Sequence, residues 1–310
     1  MPKVLVTGGA GFLGRAILRQ VKRGDLNWEV TVFSRDETLQ DLAKHKYPFA
    51  DYILGDVRDA EHLSRVCIGQ DLIIHAAAIK YIPEAELNAA ECISVNIEGA
   101  QTIMKVARQA GVQRVVGIST DKAVQPVNTY GLTKAVMERL FQEEQQYSQS
   151  PAFVCVRYGN VVGSTGSVIP MFRRQYEETG KVRITNPHMT RFWMGVDEAI
   201  GIIKIALTEV NSGSIVIPSA RAMAIVDVAR AATKDDVEVE LIGERPGEKK
   251  HELLLHFEES VRVRRHSEYI ELRPPGSPST VEAFTVASHT PKYFMSPGEM
   301  RALIKDAEEV

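Results

Sequence analysis

Short apolar runs alternate with longer amphipathic stretches through the first half of the chain, and the two periodicities differ. Val4-Leu5-Val6, Val30-Thr31-Val32-Phe33, Tyr52-Ile53-Leu54, Leu72-Ile73-Ile74, Val115-Val116-Gly117-Ile118 and Phe153-Val154-Cys155-Val156 are continuous and rich in β-branched residues, the pattern of strands buried on both faces. Between them, helical patterns are predicted from about Phe12 to Lys22, from about Pro83 to Ala110, where Gly111 supplies a left-handed cap, and from about Asn128 to Tyr147. A strand-helix alternation of this kind predicts an α/β fold, a Rossmann-type doubly wound parallel sheet with helices on both faces.

After about Asn160 the rhythm loosens into Gly-, Ser- and Pro-containing segments. The reading divides the chain into a Rossmann domain over residues 1–160, which also carries the chemistry, and a smaller, mainly substrate-binding region over 161–310 whose chain can cross back to the sheet. The tail from Val261 reads as surface loops followed by a helix from Ser296 to Ala307.

Composition narrows the function. With 37 Lys and Arg against 40 Asp and Glu, the net charge is -3 and no basic block stands out, so no nucleic-acid partner is expected. The uncharged apolar runs are far shorter than the roughly 20 residues that cross a bilayer, and the first of them meets Thr7-Gly8-Gly9 at once, so neither a membrane span nor a signal peptide is expected. Three widely spaced cysteines, Cys67, Cys92 and Cys155, suit a reducing cytoplasm better than a disulfide framework. The eight histidines lack metal-ligand spacing, and no metal is expected.

Thr7-Gly8-Gly9-Ala10-Gly11-Phe12-Leu13-Gly14 ends the first strand and opens the first helix. Glycines at 8, 11 and 14 let the backbone approach a pyrophosphate, while the free N–H groups and helix dipole at Phe12 and Leu13 stabilise its charge. The end of the second strand selects the cofactor, and it reads Phe33-Ser34-Arg35-Asp36. Ser34 and Arg35 suit the 2′-phosphate of NADP, with Asp36 pointing away, so NADP is favoured over NAD. Asp56 and Val57 are placed to meet the adenine, and Ala76 and Ala77 leave room beside the pyrophosphate and ribose.

The densest chemistry lies between Ser119 and Lys134. Thr120, Asp121 and Lys122 emerge at the carboxyl end of the fifth strand, where ligands gather in such sheets, and Tyr130 and Lys134 share one face of the following helix. A phenol of pKa about 10 needs nearby positive charge to act as a base, which Lys134 is placed to give.

With the Gly-rich turn, Tyr-x-x-x-Lys and Asp121-Lys122 together, the chain resembles the extended short-chain dehydrogenase/reductases, and among them the configuration-inverting UDP-N-acetylglucosamine 4,6-dehydratases. Those enzymes carry Thr-Asp-Lys where configuration-retaining sugar dehydratases carry Thr-Asp-Glu. Ala76 to Lys80, Glu91-Cys92-Ile93, Arg157 to Ser164, Met189 to Trp193 and Arg245 to Lys249 share the resemblance, which spans roughly residues 1–257. Departures are Gly11-Phe12-Leu13-Gly14 in place of Gly-Ser-Phe-Gly, Tyr81 in place of Gln or His, and the tail beyond Phe257.

The resemblance implies that Tyr130 deprotonates the C4 hydroxyl as hydride passes to NADP, that Lys122 removes the C5 proton, and that Asp121 protonates the departing C6 hydroxyl before hydride returns to C6. Thr120 would hydrogen-bond the C4 oxygen. For Lys122 to be a base it must be neutral, which desolvation and neighbouring positive charge favour and an ionised Asp121 opposes. Lys80, Asn96 and Val161 are implied at the cofactor, with Lys80 also able to reach substrate. For a UDP-sugar, Asn160, Ser167, Val168, Arg191 and Arg245 are the candidate contacts, Arg245 as a bidentate diphosphate clamp. Long helices in such folds bury a flank against another subunit, so a homo-oligomer, dimer or hexamer, is expected. Two alternatives remain open at this point: a sugar-nucleotide 4-epimerase or reductase using Tyr130 and Lys134 alone, and an NADP-binding regulatory protein without turnover.

Overall fold

A computed structural model describes residues 1–144, 147, 150–279 and 282–308. The first half alternates as the apolar pattern dictates. In chain order it runs β1 (Lys3–Thr7), α1 (Phe12–Arg23), β2 (Glu29–Ser34), α2 (Glu37–Lys46), β3 (Asp51–Leu54), α3 (Ala60–Cys67), β4 (Leu72–His75), α4 (Ile82–Leu87), α5 (Ala89–Ile93), α6 (Gly99–Ala110), β5 (Arg114–Thr120), α7 (Thr129–Glu144) and β6 (Ala152–Tyr158). Of the helix expected over 128–147, Thr129–Glu144 is helical, and its positions 145 and 146 lie outside the described residues, as do 280, 281, 309 and 310 of the tail.

The second half contributes β7 (Asn160–Val161), α8 (Val168–Thr179), β8 (Lys181–Ile184), β9 (Thr190–Met194), α9 (Val196–Thr208), β10 (Ile215–Pro218), β11 (Ala222–Ala224), α10 (Ile225–Ala232), β12 (Glu238–Leu241), β13 (Leu253–Leu255), α11 (Phe257–Ser260), β14 (Val263–Arg265), β15 (Tyr269–Leu272), β16 (Val286–Ala287) and α12 (Pro297–Ala307). The main sheet has nine strands in the order β14-β15-β10-β6-β5-β4-β1-β2-β3. From β3 to β10 every pairing is parallel, while β15 and β14 add antiparallel. Strand order reverses between β1 and β4, the crevice where such sheets bind ligands.

Successive side chains of a strand point to opposite faces, and the core follows that period. Val4 and Val6 join Ile17, Leu18, Val32, Ile74, Ile200 and Ile203 on the face covered by α1 and α9. Leu5 joins Phe33, Leu63, Ile73, Ile103, Val115 and Phe141 on the face covered by α3, α6 and α7. A third, smaller core of Ile169, Phe172, Ile184, Trp193, Met223, Val228, Met300 and Ile304 holds α8, α10 and α12 together beside the sheet's carboxyl edge.

Two sequence expectations are corrected. The single helix over 83–110 is three helices: Asn88 leaves helical geometry (φ -126°, ψ 51°), and Ser94–Glu98 forms a wide π turn between α5 and α6. Such turns insert a residue where a functional site needs a side chain re-aimed. The tail is not surface loop alone. Val263–Arg265 and Tyr269–Leu272 complete the main sheet, and Val286–Ala287 pairs with β13. β14 and β15 form a local hairpin, but β15 joins β10 and β16 joins β13 across more than thirty residues, pairings of two to four residues that no local periodicity reveals.

Candidate active site

β1 ends at Thr7, and the chain turns through Gly8 at φ +68°, its N–H donating to the Phe33 carbonyl at 2.7 Å. A Cβ on Gly8 would stand 2.9 Å from the Ala77 backbone, and one on Gly14 would overlap the Gly9 carbonyl oxygen. Thr7 Oγ1 accepts from the Ala77 N–H at 3.3 Å and bonds His75 Nδ1 at 2.8 Å, locking the exit of β4 against the turn. Gly11 caps α1 with no side-chain bond, leaving the first N–H groups of the helix, at Phe12, Leu13 and Gly14, facing the crevice as an anion cradle.

At the ends of β2 and β3 the Ser34 hydroxyl accepts from Gln40 Nε2 at 3.0 Å, and Asp36 accepts from the Leu39 N–H at 2.9 Å as the cap of α2. Asp36 is therefore turned into its own helix. Arg35 lies 3.4 Å from Asp56 and 3.5 Å from Glu91, and Arg58, which sequence reasoning passed over, lies 2.7 and 2.9 Å from the same two carboxylates. The Arg58 hydrogen bond, against the effect of burial, lowers the Asp56 pKa to about 2. Val57 is buried against Gly99. The position of Arg58 immediately after Asp56-Val57 was the available sequence signal.

The catalytic candidates converge where β5 meets α7. Thr120 ends β5 and opens a tight turn, Asp121–Ala123, its hydroxyl donating to Asp121 Oδ1 at 2.9 Å. Lys122 Nζ bonds the same oxygen at 3.0 Å. Asp121 is fully buried and its Oδ2 has no hydrogen-bond partner. Asn128 caps α7 by accepting from the Gly131 N–H at 2.8 Å. A Cβ on Gly131 would overlap the Lys122 carbonyl oxygen, so this glycine is what lets α7 press Tyr130 against the turn. Its place inside the Tyr-x-x-x-Lys pattern was the signal for it.

Burial raises the Tyr130 pKa to about 12, offset in part by the Lys122 charge and the Thr120 hydroxyl. Lys134 is also on the face expected, but it is 2% exposed, its Nζ lies against Met137 Sδ at 3.8 Å, and burial lowers its pKa to about 8. Among the charges near the phenol, that of Lys122 lowers the Tyr130 pKa. At Lys122 the opposing effects named from the sequence are both present. Burial lowers its pKa, yet Asp121 and Glu252 together outweigh that, and the net shift is upward. Glu252 was missed altogether; it is 2% exposed, and nothing but its place after the Arg245 to Lys249 segment marked it.

Asn96, in the π turn, is fully buried, and its amide is spent on the protein: Oδ1 accepts from the Ile79 N–H at 2.8 Å, and Nδ2 donates to the Ile79 carbonyl and Thr133 Oγ1 at 2.9 Å each. It fixes the loop after β4 rather than offering a free group to a ligand. Lys80 in that loop is exposed by area, yet enough protein surrounds its ammonium for desolvation to lower its pKa.

On the opposite wall, Asn160 Nδ2 donates to the Phe192 carbonyl at 3.2 Å, and Val161 beside it is buried. Ser167 caps α8, with Val168 as the first helical residue, and its buried hydroxyl has no partner. Arg191 donates to the Thr190 and Lys250 carbonyls at 2.9 and 3.2 Å. Arg245 is exposed on a loop that Asn128 Nδ2 holds by the Gly247 carbonyl at 2.8 Å. His251 has its pKa lowered by burial and by the neighbouring His289, Lys250, Arg191 and His188, with no carboxylate among those causes. Among the described residues there is no His, Cys, Asp and Glu cluster able to hold a metal and no helix long and apolar enough to cross a membrane.

Residues 4–274 match the model of a family described as polysaccharide biosynthesis protein. The chain belongs to this family. The match runs past Phe257, further than the resemblance read from the sequence. Within the family's reach, the chain is 36% identical over 276 residues to the UDP-N-acetylglucosamine 4,6-dehydratase (inverting) of Campylobacter jejuni, covering 87% of this chain and 82% of that one. It is 35% identical over 271 residues to a UDP-glucose 4-epimerase of Rickettsia felis, covering 84% and 79%. The X-ray structure of Pen from Bacillus thuringiensis superposes with a TM-score of 0.91 at 29% identity, covering 100% of this chain and 98% of that one.

Proposed function

We propose that this member of the polysaccharide biosynthesis family is an NADP-dependent, configuration-inverting 4,6-dehydratase of UDP-N-acetylglucosamine. Its product would be a 4-keto-6-deoxy sugar nucleotide for surface glycan or glycoprotein sugars. The observation that carries this reading is the buried Asp121–Lys122 pair, 3.0 Å apart and set beside Tyr130 on the far side of Thr120. An epimerase needs one proton acceptor at C4 and has no use for a second acid–base pair.

The residues suit a nicotinamide dinucleotide: the glycine cradle admits a pyrophosphate where no Cβ fits, and Arg35 and Arg58 offer two guanidinium groups to a 2′-phosphate. Bound there, the cofactor would supply a hydride acceptor for C4 and later a donor for C6. Tyr130 takes the C4 hydroxyl proton, with Thr120 hydrogen-bonded to the oxygen. Lys122 then takes the C5 proton, whose bonding pair becomes the C5–C6 double bond, while the C6–O bond breaks and its oxygen leaves as water with the proton from Asp121. With a hydride gained at C6, C5 takes up a proton and Lys122 gives up its own, so each turnover leaves Tyr130 one proton richer and Asp121 one poorer, and Thr120, adjacent to both, lies between them.

Arg191, Arg245 and Lys250 supply the positive charge that a nucleotide diphosphate requires, with Asn160, Ser167 and Val168 on the sugar and nucleotide side. The exposed apolar side chains Leu87, Ile93, Val127, Leu132 and Val136, on and beside α4, α5 and α7, support a homo-oligomer. A cytoplasmic site agrees with three free buried cysteines.

Incubation with UDP-N-acetylglucosamine in D₂O tests the reading: a product that has lost water and carries deuterium at C5 is expected. Retained water with inverted C4 would instead support the epimerase reading that the Rickettsia relative's name suggests. Lys122→Ala is expected to lose C5 exchange while still oxidising C4, followed as reduced nicotinamide absorbance.

A further inference from the structure

Glu252 is a buried carboxyl that the proposed reaction does not use. It is 2% exposed, immediately precedes β13, and is anchored through its backbone, its N–H donating to Ser288 Oγ at 2.9 Å and its carbonyl accepting from the Ser288 N–H at 2.9 Å. Lys249 Nζ stands 3.3 Å from its Oε2 while donating to the Val124 carbonyl at 2.6 Å, which ties this segment to the end of the Asp121–Ala123 turn. The charged groups facing Glu252 are Asp121 and Lys122 from that turn, Lys249 from the preceding loop and Arg191 from β9. Asp121 Oδ2 is buried without a hydrogen-bond partner, and Glu252 Oε2, also buried, has the Lys249 ion pair but no hydrogen bond, so the site holds two carboxyl oxygens whose bonding is incomplete.

We propose that Glu252 is the positioning residue of the Lys122 base: by its own ionisation it decides whether Lys122 stands as an ammonium ion or as a free amine. Two carboxyls and one ammonium in a dry pocket cannot all carry charge without cost, because like charges repel strongly where water does not screen them. Burial and the Asp121 charge hold the Glu252 pKa up, so this carboxyl is the ready seat for the unit's extra proton. When Glu252 is ionised, its charge adds to that of Asp121 and fixes Lys122 as ammonium, which cannot take a proton from C5. When it is neutral, Lys122 faces Asp121 alone, and once Asp121 carries the acid proton the amine is free. Glu252 acts only through Lys122 and needs no contact with the sugar.

The inference rests on Lys122 being the base, and the sign of the test separates it from a structural role. Glu252→Gln keeps the size and removes the charge. The ascending limb of the pH profile for C5 deuterium exchange is expected to move about one pH unit lower, a roughly tenfold gain on the acid side. Lys249→Met, which removes a cation that keeps Glu252 ionised, is expected to move the limb in the same direction. Competitive acetylation of Lys122 followed by mass spectrometry reads the same shift without turnover. A limb and a Lys122 titration unchanged or moved upward in both variants overturn the proposal, even if one variant folds poorly. If Lys122→Ala keeps normal C5 exchange, the base assignment itself has failed; if it loses exchange while Glu252→Gln keeps the wild-type limb, the role of Glu252 alone has failed.

Discussion

At the scale of single residues, burial sets most of the chemistry. His75 is fully buried, bonded through Nδ1 to Thr7 and unpartnered at Nε2, and burial, with a smaller push from Lys134, lowers its pKa from 6.5 to about 3. Between those values the unfolded chain binds a proton at this position and the folded chain does not. Stability therefore falls as pH falls through that window. By pH 5 the loss is about 2 kcal/mol, read as a lower urea midpoint at pH 5 than at pH 7. His75→Gln should flatten that dependence, and an equally steep one in the variant would contradict the account. Tyr130 differs, because burial raises its pKa to about 12, so it stands as a phenol at neutral pH and needs nearby positive charge to ionise. Tyr130→Phe is expected to lower C4 oxidation by about 10²–10⁴-fold with nucleotide affinity retained, measured by calorimetry beside stopped-flow absorbance.

At the scale of elements, the site depends on how closely α7 and the loop after β4 approach the end of β5. Gly131 removes the one Cβ that would strike the Lys122 carbonyl, and Asn96 in the π turn clamps Ile79 on both of its backbone groups. Gly131→Ala is expected to favour α7 by helix propensity, about 1 kcal/mol, and yet to push Tyr130 off the turn. Turnover should drop at least about tenfold while far-ultraviolet dichroism is unchanged, since misplacing a reacting group by about 1 Å costs far more than propensity returns. Near-normal turnover would show that the close approach is not needed. Much of this level was legible in advance: the six strands of the first half, the glycine turn and the Tyr-x-x-x-Lys face are local patterns. The break at Asn88 was not, because Pro83 to Ala110 keeps helical composition throughout and only the demand for Asn96 at the Ile79 loop distinguishes its middle.

At the scale of the molecule, Arg157 holds the two halves together. It is 1% exposed in β6, donating to Glu138 of α7 at 2.7 and 2.9 Å, to Glu259 of α11 at 2.8 and 2.9 Å, and to the Leu254 carbonyl at 3.1 Å. Ser119 Oγ, one residue before Thr120, donates to the same Glu138 at 2.6 Å. Arg157→Met leaves the buried Glu138 and the part-buried Glu259 without their cation and should cost about 3–5 kcal/mol, measured by denaturant titration. Adding Glu138→Gln and Glu259→Gln should recover part of the loss, since the cost lies in uncompensated charge.

Hydrophobic period and glycine spacing are carried by residues within about a dozen positions of one another, so the sequence by itself determined the six strands of the first half, the nucleotide turn and the Thr120 to Lys134 stretch. Which charges face each other across that stretch belongs to the tertiary structure alone. Glu252 lies 130 residues beyond Lys122, and only the return of the chain through β13 to the Asp121–Ala123 turn brings its carboxyl to the base. Electrostatic coupling depends on distance and dryness in space, and neither is written in the spacing of residues along a chain.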